Sequence, residues 1–227
     1  AKSVKMYVLS TATAVPETLV SYFPDVFSYE CYTWEEYKTR WPLASDATLS
    51  GDYGCGTWNF DIDTGVFEMV CEAGSGWRQW EFNGGINPTL KTAWSTLKTY
   101  VKEMRFTGSV GTKIWTDGNF VFSNMSFLEK IALPARVDQI QLGKNSFEGN
   151  TNLKTLGETD GVVDLTLFGP HTANLTNCTS IEKIKIGQSS AFTSAMLEGL
   201  TGLSSVEFTG TDAENVAALG AAGALVF

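Results

Sequence analysis

The residues able to do chemistry are few and scattered. The chain holds one histidine, His171. A mechanism needing two imidazoles is therefore excluded, and a histidine-rich zinc site with it. A Ser-His-Asp arrangement through His171 would need an exposed nucleophile, and no G-x-S-x-G turn accompanies it. Asp61 and Asp63 stand two apart in N-F-D-I-D-T-G, as the paired carboxylates of a glycosidase could. The solvated side of a β-hairpin accounts for them better and requires no chemistry. Asp160 and Asp164, beside Gly157 and Gly161, offer the clustered oxygens that calcium takes, but no D-x-D-x-D-G loop holds them. No catalytic residue, metal ligand or cofactor is assigned, and the chain is expected not to be an enzyme.

The aromatic residues are the more serious candidates. Tyr32, Trp34, Tyr37, Trp41, Tyr53, Trp58, Trp77 and Trp80 crowd into one stretch. If exposed, their rings would stack on sugar faces, and the chain would be a carbohydrate-binding module. If buried, they fill the core of a small β-structure. Exposure of Trp34, Trp41, Trp77 and Trp80 separates the two readings.

What must position any site is a repeat in the second half. Phe122, Leu128, Ile131 and Leu133 sit at offsets 0, 6, 9 and 11. Leu175, Ile181, Ile184 and Ile186 repeat that spacing, as do Leu197, Leu203, Val206 and Phe208. Phe147, Leu153 and Leu156 fit the first three offsets, with Glu158 at the fourth. The units start at 122, 147, 175 and 197, in steps of 25, 28 and 22. An apolar code recurring at this period marks a stack of repeats, none of which can bury its apolar face alone. The alternation in L-x-x-I-x-L gives one short strand per repeat. A weaker fifth copy precedes these, with Val101, Met104 and Phe106 at offsets 6, 9 and 11. Residues 129–133, 154–156, 182–186 and 204–208, extended by 102–106, are predicted to be parallel neighbouring strands. Offset 3 holds Met125, Asn150, Cys178 and Leu200, so Cys178 reads as a small buried hydrophobe. Among Cys31, Cys55 and Cys71 at most one bridge then forms, and the sequence leaves the pair open.

These residues resemble the BspA-like leucine-rich repeats of bacterial surface proteins. The stretch F-S-N-M-S-F-L-E-K-I-A-L-P-A-R-V-D-Q-I, followed by N-S-F-E-G-N-T-N-L-K-T-L, carries the resemblance. Cys178 stands where that family usually has cysteine, and Pro134, Val137 and Ile140 fit its next leg. Gly54 to Met69 is similar to the hairpin that often precedes such repeats. The 28-residue step departs from the pattern and implies an insertion around Gly157 to His171. The resemblance implies cell-surface or secreted localisation and adhesion to a host or neighbouring-cell protein, or to a glycan. It supplies no catalytic residues.

The remaining elements read as follows. Val4–Leu9 alternates as a strand, and Thr33 with Glu36 makes a capping box for a helix ending before Pro42. Trp58, Phe60 and Ile62 alternate with polar neighbours, Thr64-Gly65 turns the chain, and Val66–Cys71 returns. Trp77–Phe82 reads as a third strand of this hairpin. Asn87 and Pro88 open an amphipathic helix with Leu90, Trp94, Leu97 and Val101 on one face. Thr211 and Glu214 cap a last helix over the final repeat. The expected organisation is an α/β leucine-rich-repeat solenoid of about five rungs with a parallel sheet. Its parts are an N-terminal extension (1–53), a β-hairpin and helix cap (54–100), the repeats (101–210) and a C-terminal cap (211–227).

Composition agrees with a folded chain. Of 227 residues, 18% are charged and 12% aromatic, and the net charge is −9. An acidic chain without a Lys/Arg run lacks the electrostatic footprint of a nucleic-acid binder. No apolar run reaches the ~18 residues of a membrane span, so the chain is not read as an integral membrane protein. It begins with Ala1 rather than Met, from which a trimmed N-terminus, compatible with a removed lipid-anchored segment, is expected. Offsets 8 and 10 put Glu103, Arg105, Lys130, Ala132, Thr155, Gly157, Lys183, Lys185, Ser205 and Glu207 on the outer sheet face. Arg105, Lys130, Lys183, Lys185 and Glu207 are the candidate ligand-binding residues there, with a cationic centre.

Overall fold

The computed structural model describes residues 6–8, 29–31, 33–72, 79–82, 87–116, 122–142, 147–168, 174–187 and 197–209. The chain divides into two compact units, Ala1–Ala47 and Thr48–Phe227. In the first, strand β1 (Met6–Val8) pairs parallel with β2 (Tyr29–Cys31). Helix α1 (Trp34–Arg40) follows. Its capping box forms as the sequence predicts, with the Glu36 N–H donating to Thr33 Oγ1 at 3.3 Å and the Thr33 N–H to Glu36 Oε2 at 2.8 Å.

The second unit is built on a mostly parallel sheet with few helices. Nine strands lie in the order β14-β13-β12-β11-β9-β7-β5-β4-β3. They are β3 (Ser50–Tyr53), β4 (Gly56–Asp61), β5 (Val66–Cys71), β7 (Glu103–Gly108), β9 (Lys130–Ala132), β11 (Thr155–Gly157), β12 (Val163–Asp164), β13 (Lys183–Ile186) and β14 (Ser205–Phe208). β3, β4 and β5 form an antiparallel meander, and every pairing from β5 to β14 is parallel. The offset-9 residues fall into one inner row. Phe67 pairs with Met104, Met104 with Ile131, Ile131 with Leu156, Leu156 with Val163, Val163 with Ile184, and Ile184 with Val206. All but Val206 are buried. Each residue is apolar because both its neighbours and the core behind it are apolar, and only the stack supplies them.

Three readings change. The segments 154–156 and 182–186 are not adjacent, because β12 stands between them. The stretch read as an insertion doubles back: the Gly161 N–H donates to Thr155 Oγ1 at 2.9 Å, and the Leu156 N–H to the Val162 carbonyl at 3.0 Å. Val163 then enters the inner row fully buried. The strand near Trp80 does not extend the hairpin. Strand β6 (Gln79–Phe82) joins a second sheet, pairing parallel with β8 (Lys113–Thr116), which pairs parallel with β10 (Gln139–Gln141). Trp80 and Phe82 are completely buried and meet Phe106 edge-on at 5.6 and 6.2 Å. They can reach that contact only from across the core. Helix α2 (Pro88–Leu97) buries Leu90, Ala93, Trp94 and Leu97 as expected, but Asn87 holds the N-cap position without a side-chain cap bond. The expected helix after Thr211 lies outside the described residues.

Between the two sheets the interior is apolar, lined by Met104, Phe106, Ile131 and Leu156 from one side and Ile114 and Ile140 from the other. A relay of rings runs through it: Trp58 on Phe67 at 5.6 Å, Phe67 on Trp94 at 5.1 Å, Trp94 on Phe122 at 5.2 Å, Phe122 on Phe147 at 6.4 Å, Phe147 on Phe168 at 6.0 Å. Phe122 and Phe147 are the offset-0 residues, so the return leg of each repeat packs inward.

The turns carry a second repeated rule. Offset 2 holds Asn124, Gly149, Asn177 and Gly199, all left-handed, at φ of 54°, 74°, 61° and 75°. Gly and Asn are the residues that tolerate this region. The N–H at this offset donates to the next repeat's offset-1 carbonyl, Asn124 to Glu148, Gly149 to Thr176 and Asn177 to Glu198, each at 2.8 Å. Asn124 Oδ1 lies against Gly149, and Asn177 Oδ1 against Gly199, where a Cβ would stand 2.3 and 2.4 Å away. The alternation Asn-Gly-Asn-Gly is thus a packing requirement as well as a backbone one.

Cys55 and Cys71 form a disulfide across the β4–β5 pair, with a sequence separation of 16. Cys178 is a buried free thiol, and the side chain of Cys31 lies outside what the structure describes. A bridge closing a loop of this size restricts the unfolded chain by about 3 kcal/mol. A Cys55→Ser, Cys71→Ser double variant should lose about that much in urea unfolding. An unchanged midpoint would mean that the bridge contributes nothing.

Candidate functional site

The outer face of the large sheet brings the sequence-predicted residues together. Glu103 pairs in register with Lys130, and Lys130 with Thr155. One row over, Glu68 pairs with Arg105, and Arg105 with Ala132. At the other end Asp164 pairs with Lys185, Lys185 with Glu207, and Lys183 with Ser205. Thr155 and Gly157 are buried, so the middle strand of the face adds no exposed side chain of its own at these two positions.

The expected cationic centre is corrected by the acids that fold beside it. Arg105 lies 3.0 Å from Glu103, Lys130 2.6 Å from Asp160, Lys183 2.8 Å from Glu207 and Lys185 3.5 Å from Asp164. Four cations face four carboxylates, and the charge alternates across the strands instead of accumulating. Lys183–Glu207 and Lys185–Asp164 join adjacent strands, where opposite charges attract by roughly 0.2–1 kcal/mol each. The sequence offers Asp160 and Asp164 only as calcium candidates and not as partners of these lysines, because β12 is hidden in the irregular step; the β-branched pair Val162-Val163 ahead of Asp164 is its one signal. The Glu207 carboxyl is held below its ordinary range by the hydrogen bond and then the charge of Lys183. Its pairing is therefore lost at a lower pH than that at which an unpaired glutamate takes up its proton.

The candidate acids serve the backbone. Asp61 Oδ1 accepts from the Asp63 N–H at 2.8 Å and the Thr64 N–H at 3.4 Å, which makes it the turn-former of the β4–β5 hairpin. Strand β4 ends at Asp61, so Asp63 stands in the turn and does not share a strand face with it. Asp164 Oδ1 accepts from the Thr166 N–H at 3.0 Å and its hydroxyl at 2.5 Å, while Asp160 turns to Lys130. These two carboxylates point at different partners. His171 lies outside the described residues. Among those residues no helix is long and apolar enough to cross a membrane.

The aromatics largely answer the exposure test. Trp34 and Trp80 are buried, as are Trp58 and Tyr53. Lys38 Nζ sits 3.7 Å over the Trp34 ring, and Trp41, half-buried, is 5.0 Å from Tyr37. Trp77 and the side chain of Tyr32 lie outside the described residues. Among the described residues Trp34, Tyr53, Trp58 and Trp80 are taken up by packing and offer no face to a sugar.

At offset 3 the polar side chains do structural work. Asn150, fully buried, accepts from the Met125 N–H at 2.8 Å and donates from Nδ2 to the Phe122 carbonyl at 2.7 Å. One repeat on, the Cys178 thiol donates to the Phe147 carbonyl at 3.0 Å. Each side chain satisfies the offset-0 carbonyl of the preceding repeat. Burial pushes the Cys178 thiol up to about 12, so it stays a protonated donor and an inert nucleophile.

The chain is similar to a leucine-rich cell surface protein of Faecalibacterium prausnitzii of known crystal structure. The identity is 16% and the TM-score 0.38, over 71% of this chain and 40% of that one. The match thus spans less than half of that protein's length. No protein-family model matches the sequence, and no curated protein matches it.

Proposed function

We propose that this chain is a non-enzymatic interaction module, a leucine-rich-repeat solenoid of about five rungs that binds a protein partner at a cell surface through the outer face of its large sheet. The observation that carries this reading is the register of that face. Across seven successive parallel strands, β5 to β14, one outer row runs from Glu68, Arg105 and Ala132 to Asp164, Lys185 and Glu207, and a second holds Glu103, Lys130 and Thr155 with Lys183 and Ser205. Stacked repeats expose such extended surfaces for binding. The β3–β5 meander and α2 serve as the N-terminal cap. The Cys55–Cys71 bridge supports an oxidising compartment, hence a cell-surface or secreted location. Alternating charge favours a partner of mixed charge, such as a host or neighbouring-cell protein, over a polyanion.

An array of matrix proteins and glycans probed with the purified chain tests this. Against any protein partner found, the triple variant Lys130→Ala, Lys183→Ala, Lys185→Ala should bind at least about tenfold more weakly and keep its fold, since each exposed pair is worth only about 0–1 kcal/mol. Added salt should slow association modestly. Unchanged affinity would move the site off the sheet, and turnover of ester, peptide or glycoside substrates would overturn the non-enzymatic reading.

A further inference from the structure

The second sheet presents an outer face of different chemistry. Strands β6, β8 and β10 turn Trp80, Phe82, Ile114, Thr116 and Ile140 inward. By alternation their other residues face out in two aligned rows: Gln79 with Lys113 and Gln139, and Glu81 with Trp115 and Gln141. Trp115 is half-buried, whereas Trp58, Trp80 and Trp94 are at most 2% exposed. Those three pack on Phe67, Phe106 or Phe82, and among the described residues Trp115 touches no other ring. Glu81 is 6% exposed although it lies on the outer side, and Gln79 Nε2 donates to its Oε2 at 3.3 Å.

We infer that this face is a binding site for a neutral, hydroxyl-rich oligosaccharide, with Trp115 as its stacking platform. An indole offers a flat apolar surface to the C–H face of a pyranose and keeps an N–H at its edge. The flanking strands stand about 4.8 Å to either side, roughly where the equatorial hydroxyls of a ring stacked on Trp115 would lie. There the amide of Gln141 both donates and accepts, while Glu81, buried, holds the Gln79 amide in place. Gln79, Lys113 and Gln139 extend the row for a second sugar unit. An apolar platform ringed by a few polar groups that can both donate and accept is the composition of a small-ligand site. The large sheet differs: it presents ion pairs and no aromatic ring across β7 to β14. This site is therefore distinct from the proposed protein-binding face and independent of it.

The test is calorimetric titration of the whole chain with cellohexaose, xylohexaose, mannohexaose, chitohexaose and hexagalacturonate. At least one neutral hexasaccharide should bind. Trp115→Ala should weaken it at least tenfold, Trp115→Phe less, and Gln141→Ala by an intermediate factor. Near-ultraviolet circular dichroism and the urea midpoint of each variant confirm that the fold is kept. The lysine triple variant of the large sheet should bind the sugar as the parent does, which separates failure here from failure of the protein-binding reading. Three outcomes would overturn the inference: no neutral hexasaccharide bound at millimolar concentration, affinity unmoved by Trp115→Ala, or binding confined to hexagalacturonate and abolished by salt.

Discussion

Replacing Asn150 with alanine should lower the unfolding free energy by about 2–6 kcal/mol, because it strands two buried backbone groups at about 1–3 kcal/mol each. The side chain has no solvent exposure and bridges two repeats, accepting from the Met125 N–H and donating to the Phe122 carbonyl. Neither group gains water when the amide is removed, so the full desolvation cost is felt. Asn150→Cys is the informative control. Cys178 fills the equivalent place and satisfies the equivalent carbonyl through its thiol. The cysteine variant should therefore retain one of the two bonds and lose roughly half as much, about 1–3 kcal/mol. Urea melts of both variants decide it. If alanine costs no more than cysteine, the bridge is not what holds these repeats together.

The same position shows what the sequence could and could not say. The offset code marks which residues are apolar, and it places Met104, Ile131, Ile184 and Val206 on their strands. It does so because burial of one strand face is a property of local alternation. Offset 3, read as a slot where cysteine, methionine and leucine are interchangeable, is in fact partly a hydrogen-bonding slot. The left-handed residues at offset 2 were legible in principle, since Asn124, Gly149, Asn177 and Gly199 recur at fixed spacing. An apolar code does not see them, because their selection is by backbone conformation and not by burial.

The binding face was less legible than the core for a physical reason. Alternation tells which residues leave the sheet, so Arg105, Lys130, Lys183, Lys185 and Glu207 are found on the face predicted for them. The potential there depends on what folds beside them. Asp164 arrives on β12 and Asp160 in the turn before it; β12 has no counterpart in the repeat and interrupts the adjacency of β11 and β13. A charge pattern made across strands is a tertiary property, and one unread strand turns a cationic patch into a balanced one. Trp115 escaped notice for the opposite reason: its strand, β8, lies between repeats and pairs with β6 and β10, which the code does not mark as strands.

Ile184→Ala should destabilise the chain by about 2–5 kcal/mol, the usual cost of deleting a buried aliphatic side chain and leaving a cavity. Ile184 is fully buried and stands in register between Val163 and Val206. Collapse of the cavity is opposed on both sides, since both neighbours are stiff β-branched residues on hydrogen-bonded strands. Ile184→Val should cost about 0.5–1.5 kcal/mol, because a single methylene is lost. Lys185, one residue on, points out of the sheet and lies 3.5 Å from Asp164. Lys185→Ala should cost only about 0–1 kcal/mol, the value of a solvent-screened pair. The contrast between neighbours is sharper than either value alone, since propensity and strand position are held nearly constant. Urea unfolding of the three variants measures it. Equal losses at 184 and 185 would mean that the strand is not one-faced. The inner row from Phe67 to Val206, on which the whole stack of repeats rests, would then be wrong.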